Sequence, residues 1–332
     1  MTRVAIVGTG AWGTALAIHG ANAGLDVALL GRRPDFVARL SATRAHPALA
    51  GAPPIPPQVT ITSDAPAAFA EAAAVLWSVS VQATAKELER LAPFLPLAPL
   101  VATSKGLEIG SRRRTTEIIA FVTGRTDGLA VLSGPTFAAE VARGLPAAAV
   151  VASADPALAT ALQALLSSPT LRLYRSADVL GVGIAGAAKN VVAIAAGLVD
   201  GLRLGHNTRA ALLTRALAEI RRLGTRLGGS PDTFSGLAGV GDLILTATGD
   251  LSRNRRVGLA LASGKSLSEA LEALGGEVAE GVATSPVLLE LAGKAGVEMP
   301  IAAMVASILS GETTPTDAVR NLMTRALKEE KV

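Results

Sequence analysis

The chain of 332 residues is 50% hydrophobic and 17% charged, which is typical of a globular protein with room for two domains. Its net charge of +4 comes from scattered basic residues, which are compatible with an acidic ligand but form no nucleic-acid-binding stripe. The lack of cysteine excludes disulfides, thiolate metal sites and a cysteine nucleophile, and three scattered histidines give no metal-ligand spacing.

The N-terminal segment predicts a strand, a glycine turn, a helix and a second strand. Strands at residues 3–7 and 26–30 flank the sequence GTGAWG and an apolar helix. Gly8 permits the tight turn, Gly10 lets a pyrophosphate approach the backbone, and Gly13 lets the helix pack on the strand. This βαβ unit predicts a dinucleotide site at the helix N-terminus. Since no signal-peptide pattern precedes the first strand, we expect a cytoplasmic protein.

The end of the second strand indicates which dinucleotide binds. NAD sites usually place an acid about 20 residues past the glycines to hold the ribose 2′-hydroxyl, whereas arginine accommodates a 2′-phosphate. Here the strand is followed by Gly31, Arg32 and Arg33. We therefore expect NADPH as cofactor, with NAD also accepted. The competing interpretation is solvated surface charge, which is more serious for Arg33 than for Arg32.

Further strands are predicted in alternation with helices. They lie at residues 75–79, 100–103, 130–132, 147–152 and 171–174. This alternation predicts a Rossmann-like, doubly wound, mostly parallel sheet with ligands at the carboxyl ends of its strands. Lys105 follows one such end and can hold a phosphate. The Gly-Pro-Thr turn of residues 134–136 follows another and can present amides to an anion.

The pattern changes near residue 178, where helical runs replace strands. We therefore predict a dinucleotide-binding domain of residues 1–177 and an all-helical domain for substrate binding and catalysis of residues 178–332. Within the second domain, Asn207 is expected to cap a helix of residues 208–223.

The helical domain opens with residues 179–199, in which only Lys189 and Asn190 are polar. The run is long enough to span a bilayer, but a central lysine costs about 2.5–3.5 kcal/mol on insertion scales. We therefore predict a buried core helix and no integral membrane segment. A lysine in such a helix is paired, catalytic or snorkelling to the surface, and the run alone leaves these alternatives open.

Other polar groups follow in glycine-rich or apolar surroundings. Asp242 and Thr246 are four residues apart and share a face if their stretch is helical. Ser252 is expected to cap a helix that begins with Arg253 and Asn254. Together with the lysine they suit a phosphorylated substrate with a reactive carbonyl, since arginine binds phosphate bidentately and lysine exchanges a proton with the carbonyl oxygen. Taken singly, they could be a helix cap, a surface charge and a turn residue.

Seven segments carry a resemblance to a known family: GTGAWGTALA from Gly8, SKGLE from Ser104, SGPTFAAEVARGLPAA from Ser133, GAAKNVVAIAAGLVDG from Gly186, NTRAALLTRALAE from Asn207, GLAGVGDLILTATGDLSRNRRVG from Gly236 and VAEG from Val278. Together they resemble the bacterial NAD(P)-dependent glycerol-3-phosphate dehydrogenases. The resemblance implies interconversion of dihydroxyacetone phosphate and sn-glycerol 3-phosphate, which supplies phospholipid synthesis. It also implies a homodimer.

The same resemblance implies residue roles. Lys189 would be the proton donor or acceptor at the C2 oxygen. The substrate positions would be Lys105, Gly134, Thr136, Lys189, Asn190, Asp242, Thr246, Ser252, Arg253 and Asn254. The cofactor positions, beside Gly8, Gly10 and Gly13, would be Ala11, Trp12, Arg32, Arg33, Lys105, Ala138, Arg253, Val278 and Glu280. The chain departs from the family pattern at Ser80-Val81, where Pro-Ser is frequent, and at His206, where aspartate is common.

Two other functions remain open from the sequence. One is a two-domain NAD(P)-dependent reductase of a different hydroxy acid or sugar derivative, because fold alone does not separate these enzymes. The other is a non-catalytic protein that senses dinucleotides. A sensor needs no buried lysine with a carboxylate and an Arg-Asn pair, and it would more often carry a module for binding DNA or a partner.

Overall fold

The computed structural model describes residues 1–327 and 329–330. The chain divides into two compact units: Met1–Ser104 with Thr115–Val179, and Lys105–Arg114 with the chain from Leu180 onward. The observed division therefore differs from the predicted continuous boundary at residue 177, because the segment Lys105–Arg114 lies in the helical unit. It belongs with the helical unit because its side chains pair there, Lys105 with Asp242 and Arg112 with Glu290.

The first unit contains one sheet of eight strands. These are β1 (Arg3–Val7), β2 (Asp26–Leu30), β3 (Thr60–Thr62), β4 (Ala74–Trp77), β5 (Leu100–Ala102), β6 (Leu129–Ser133), β7 (Ala147–Ala152) and β8 (Leu171–Ser176). Their order is β3-β2-β1-β4-β5-β6-β7-β8, and every neighbouring pair is parallel except β6 with β7. The predicted mostly parallel, doubly wound sheet is confirmed. The sequence prediction missed the edge strand β3, whose residues are exposed or half-buried and form no apolar run.

Helices connect these strands. They are α1 (Ala11–Asn22), α2 (Pro34–Thr43), α3 (Ala65–Phe69), α4 (Val81–Leu91), α5 (Thr115–Thr123), α6 (Ala138–Ala142) and α7 (Pro156–Leu166), with a 3₁₀ turn at Ala92–Phe94. The apolar side chains of α1 pack with the sheet residues Val4, Ile6, Val27 and Leu29 in one core. Buried strands in a parallel sheet need helices on both faces, which explains why the run from Arg3 to Val7 is almost entirely apolar.

All the regular secondary structure described in the second unit is helical. Its helices are α8 (Val179–Gly201), α9 (Gly205–Arg226), α10 (Pro231–Ser235), α11 (Asp242–Thr248), α12 (Arg253–Ala262), α13 (Leu267–Glu272), α14 (Glu280–Ala295), α15 (Pro300–Leu309) and α16 (Pro315–Met323). A π-helical turn at Leu237–Gly241 runs directly into α11. The other helices share one apolar core with α8, and every residue of α8 from Ile184 to Val199 is buried.

The α8 helix has the length and hydropathy of a membrane span. Among the described residues it is the single helix that does, and 83% of its most apolar window is buried inside the protein. A helix that is apolar on all sides requires apolar neighbours, and here the surrounding helices supply them.

The predicted start of α9 at residue 208 is wrong. Leu204 donates its N–H to Val199 O at 3.1 Å and so closes the end of α8, and the next helix begins at once at Gly205. Asn207 therefore lies inside the first turn and caps nothing. His206 in the same turn is exposed and accepts a hydrogen bond from Arg209 at Nδ1, at 3.1 Å.

The α8 and α12 helices cross at glycines. A Cβ on Gly197 would overlap the carbonyl oxygen of Arg255, and one on Gly258 would overlap the carbonyl oxygen of Ile194. The two backbones are therefore in direct contact, which is possible only without side chains at the crossing. This contact holds the start of α12, with Arg253 and Asn254, against α8.

We expect Gly258→Ala to destabilise the protein by about 1–3 kcal/mol, the usual cost of overpacking, because the added methyl must push two backbones apart. Thermal unfolding followed by circular dichroism measures the effect. Gly293→Ala is the matched control, since a Cβ there meets no described atom within 4 Å and alanine favours the helix. Equal melting temperatures for the two variants would contradict the close crossing.

Candidate active site

The glycine turn of the first unit has the geometry that its three glycines predict. Gly8 has φ of +110°, and a Cβ there would lie 2.7 Å from Ser78 O. A Cβ on Gly13 would overlap the carbonyl oxygen of Gly8, so the helix packs directly on the turn. A Cβ on Gly10 would meet no described atom within 4 Å, which leaves the backbone open at the N-terminus of α1. This arrangement fits the pyrophosphate of a dinucleotide.

The two arginines after β2 have different environments. Arg33 is the N-cap residue of α2, and its guanidinium lies 4.9 Å from the centre of the Phe36 ring. Arg32 is exposed, and in the described part of the chain it has neither an ion pair nor a hydrogen bond. The Arg32 side chain is therefore the more available of the two for a ligand phosphate.

The remaining first-unit positions lie around two helix starts. Ala11 and Trp12 are the first residues of α1, and Ala138 is the first residue of α6. Gly134 has φ of +152°, and a Cβ there would lie 2.7 Å from Ala149 Cα, so only glycine fits this turn. The Thr136 hydroxyl donates to Gly134 O at 3.2 Å and closes the turn.

The second unit brings two lysines to one buried carboxylate. Lys189 Nζ lies 2.9 Å from Asp242 Oδ1, and Lys105 Nζ lies 2.6 Å from Asp242 Oδ2. Lys189 also donates to the Thr246 hydroxyl at 2.6 Å. Thr246 in turn donates to Asp242 Oδ1 at 3.2 Å, which confirms that these two residues share a helix face. Lys189 is 6% exposed and Asp242 1%, so the alternative of a snorkelling lysine is wrong.

The charges in this cluster set its protonation. Burial lowers the pKa of Lys189 from its ordinary 10.5 to about 8, and Asp242 opposes this while Lys105 and Arg253 add to it. Burial raises the pKa of Asp242, but Lys105 and Lys189 outweigh burial and hold it below its ordinary value. The cluster therefore combines a carboxylate that stays ionised with an amine that can exchange a proton near neutral pH.

Two buried asparagines form a chain of hydrogen bonds, which we call the amide relay. Gly281 N donates to Asn254 Oδ1 at 2.9 Å, and Asn254 Nδ2 donates to Asn190 Oδ1 at 2.9 Å. Asn190 Nδ2 donates to Lys105 O at 3.0 Å and to Gly186 O at 3.4 Å. Because an amide has two N–H donors, both of those on Asn190 are engaged, whereas Asn254 keeps one for a ligand.

The start of α12 presents the remaining predicted residues. Ser252 is the N-cap, and its hydroxyl accepts from Arg255 N at 3.2 Å, as predicted. Arg253 lies close enough to affect the protonation of Lys189, yet no described carboxylate pairs with it. Val278 is 48% exposed in the loop before α14, and Glu280 is the first residue of that helix.

Sequence reasoning missed the ion pairs that hold α12 in place. Arg255 Nη2 lies 2.7 Å from Asp200 Oδ2 near the end of α8, and Arg209 Nη1 lies 3.1 Å from the other oxygen of Asp200. Arg255 follows the Arg253-Asn254 pair directly, but nothing in the spacing of Asp200 indicates that the two would meet. Gly281 was also missed, although it belongs to the characteristic VAEG segment.

Comparison with known proteins gives relatives along the whole chain. A protein of Bradyrhizobium sp. (strain ORS 278), named glycerol-3-phosphate dehydrogenase (NAD(P)+), is 48% identical over 329 residues, which cover 99% of this chain and 98% of that protein. A relative of the same name from Acidobacterium capsulatum is 44% identical and covers 99% and 100%. A crystal structure of glycerol-3-phosphate dehydrogenase from Coxiella burnetii has a TM-score of 0.92 at 38% identity, covering 98% of this chain and 99% of that one.

Two family models match successive parts of the sequence. The model described as NAD-dependent glycerol-3-phosphate dehydrogenase N-terminus matches residues 3–159. The model described as NAD-dependent glycerol-3-phosphate dehydrogenase C-terminus matches residues 178–320. The first match contains the glycine turn, and the second contains Lys189 and Asp242. The chain therefore belongs to the NAD-dependent glycerol-3-phosphate dehydrogenase family.

Proposed function

We propose that this protein interconverts dihydroxyacetone phosphate and sn-glycerol 3-phosphate with NADPH or NADH, and so supplies glycerol 3-phosphate for phospholipid synthesis. The observation that carries the proposal is the buried pair of Lys189 and Asp242 in a chain of this family. The bound nicotinamide supplies or accepts the hydride. The residues of the chain bind the substrate, exclude water and move the accompanying proton.

Lys189 is the proton donor and acceptor of the proposed reaction. During reduction its Nζ gives a proton to the C2 oxygen of the ketone as hydride reaches C2, and during oxidation the amine takes the hydroxyl proton back. Asp242 holds the lysine in place through its Oδ1 oxygen, and Thr246 fixes the lysine from a second direction. The pKa of Lys189, lowered to about 8, keeps both protonation states accessible near neutral pH.

The substrate phosphate is assigned to positive groups of the second unit. Arg253 is suited to it because a guanidinium binds phosphate bidentately and this one has no described carboxylate partner. Lys105 adds a positive charge, and Asn254 keeps one N–H free. The other proposed substrate residues follow the family pattern: Gly134, Thr136, Asn190, Asp242, Thr246 and Ser252.

The cofactor is assigned to the glycine turn and to Arg32, which supports a preference for NADPH. Other proposed cofactor residues follow the family pattern: Ala11, Trp12, Arg33, Lys105, Ala138, Arg253, Val278 and Glu280. We further propose that the protein is a cytoplasmic homodimer, on the strength of the family resemblance. Light scattering coupled to gel filtration tests the dimer, and a monomer mass would overturn it.

The direct test uses dihydroxyacetone phosphate as substrate and follows the oxidation of NADPH or NADH by the loss of the near-ultraviolet absorbance of the reduced nicotinamide. Turnover with either cofactor supports the proposal. Turnover with a different oxo acid or sugar derivative alone would favour the rival reductase. Tight cofactor binding without turnover on any carbonyl substrate would favour a dinucleotide sensor.

We expect Lys189→Ala to lower kcat more than about 100-fold, because the proton donor is lost, while NADPH binding stays near normal. Steady-state kinetics and a fluorescence titration of NADPH give the two measurements. Lys294→Ala, at an exposed lysine of α14, is the control and should retain full activity. Near-normal turnover of the Lys189 variant would remove this residue from the mechanism.

The two directions of the reaction should have opposite pH dependence. Reduction requires the protonated lysine, so its kcat/KM should fall as pH rises through about 8, the lowered pKa of Lys189. Oxidation requires the neutral amine, so its kcat/KM should rise through the same range. Profiles of both directions between pH 6 and 10, about two units to either side, test this sign. Parallel profiles would contradict a lysine that carries the proton.

We expect Arg32→Ala to weaken NADPH binding by roughly 10- to 100-fold, the scale of a charge-assisted hydrogen bond, and to leave NADH binding little changed. Dissociation constants from fluorescence titration measure both. Arg39→Ala is a matched control, since this exposed arginine lies on the same helix as Phe36 and stacks on its ring at 5.1 Å. Equal losses for NADPH and NADH would show that Arg32 does not bind the 2′-phosphate.

A further inference from the structure

The segment Lys105–Arg114, which we call the lysine strap, is anchored to the second unit along its length. Leu107 is fully buried in the core of that unit, and its N–H donates to the Thr284 hydroxyl at 3.3 Å. The carbonyl of Lys105 accepts from Asn190, and Arg112 pairs with Glu290 at 2.9 Å. Thr284 and Glu290 both lie on α14, so one helix holds the strap at two points.

The anchoring of Leu107 also holds the side chain of Lys105, which lies two residues earlier in the strap. From the strap, Lys105 reaches Asp242 Oδ2 at 2.6 Å, the second oxygen of the carboxylate that binds Lys189. Thr284 is 0% exposed and lies four residues along α14 from Glu280. A buried hydroxyl that accepts a backbone N–H is costly to remove, because the N–H is left without its partner.

We propose that Thr284 is a positioning residue for the reaction: its hydroxyl holds Leu107 so that Lys105 stays on Asp242 beside Lys189. Thr284 makes no described hydrogen bond to either lysine, and it acts through the strap. For its kinetic readout the inference rests on the proposed function.

Displacing Lys105 changes the charges that face Lys189. Those charges are Asp242 on α11, Lys105 on the strap and Arg253 on α12, and Lys105 is one of the two that lower the pKa of Lys189. When Lys105 moves away, Asp242 pairs with Lys189 alone and holds the ammonium form more firmly. The pKa of Lys189 should therefore rise, and reduction should remain active to higher pH.

The test compares Thr284→Val, which removes the hydroxyl at nearly constant volume, with Thr284→Ser, which keeps it. We expect the valine variant to lower kcat/KM for dihydroxyacetone phosphate roughly 3- to 10-fold, the scale of one lost hydrogen bond, and to shift the alkaline limb of the profile upward. The serine variant should restore both. Thr284→Ala removes the same hydroxyl with less bulk and replaces the valine variant if that one does not fold.

A second readout does not depend on turnover. Competitive acetylation with acetic anhydride across a pH series, followed by peptide mass spectrometry, titrates individual lysines. Thr284→Val should raise the apparent pKa of Lys189 and make Lys105 more reactive. If the wild-type protein does not reduce dihydroxyacetone phosphate, the proposed function fails, while this titration still decides the role of Thr284.

Ser285→Ala is the matched control for removing a buried hydroxyl. Ser285 is adjacent on α14 and 0% exposed, and its hydroxyl has no hydrogen-bond partner among the described residues. Its removal should leave the titration of Lys189 unchanged. An unchanged pH profile and an unchanged Lys189 titration in Thr284→Val would overturn the inference, even if activity fell, because they would indicate a purely structural role.

Discussion

The burial of a lysine ammonium group constrains the whole second unit. An unpaired charge in such a core costs several kcal/mol, so Lys189 requires a carboxylate, which Asp242 supplies. Asp242 is itself buried, and a second lysine, Lys105 of the lysine strap, stabilises its carboxylate. Two ammonium groups on one carboxylate leave a net positive charge, which an anionic ligand can balance. The pairing that stabilises the buried ammonium group therefore also leaves a positive charge that can bind an anion.

Close backbone packing makes this arrangement possible. The glycines at positions 197 and 258 let α12 lie directly on α8, which brings Arg253 and Asn254 to the level of the lysine. On the other side, the π-helical turn Leu237–Gly241 leads straight into Asp242. Such turns are frequent at functional sites because they redirect the residues that follow them. The two glycines at this crossing are thus a packing requirement of the polar centre.

Local patterns made much of this structure predictable from the sequence. The glycine turn and the alternating strands are contiguous motifs, and the apolar run of residues 179–199 predicts a buried core helix. The assignment of the lysine strap to the second unit could not be predicted. It depends on a hydrogen bond between Leu107 and Thr284, and these two residues are far apart in sequence. The pairing of Arg255 with Asp200 and the start of α9 likewise depend on how neighbouring helices end.

The amide relay limits which groups can recognise a substrate. Asn190 uses both of its N–H donors within the protein, so it offers a ligand only the second lone pair of an oxygen that already accepts from Asn254. Asn254 retains one N–H donor for a ligand, and the guanidinium of Arg253 has no described carboxylate partner. If these two residues bind substrate as proposed, selectivity comes mainly from charge. A ligand without a phosphate would leave uncompensated the Arg253 guanidinium and the net positive charge of two lysines on one carboxylate, and a site with unpaired polar groups rejects such analogues strongly. The positive charges of Lys105 and Arg253, which add to burial in lowering the pKa of Lys189, would then also select the substrate.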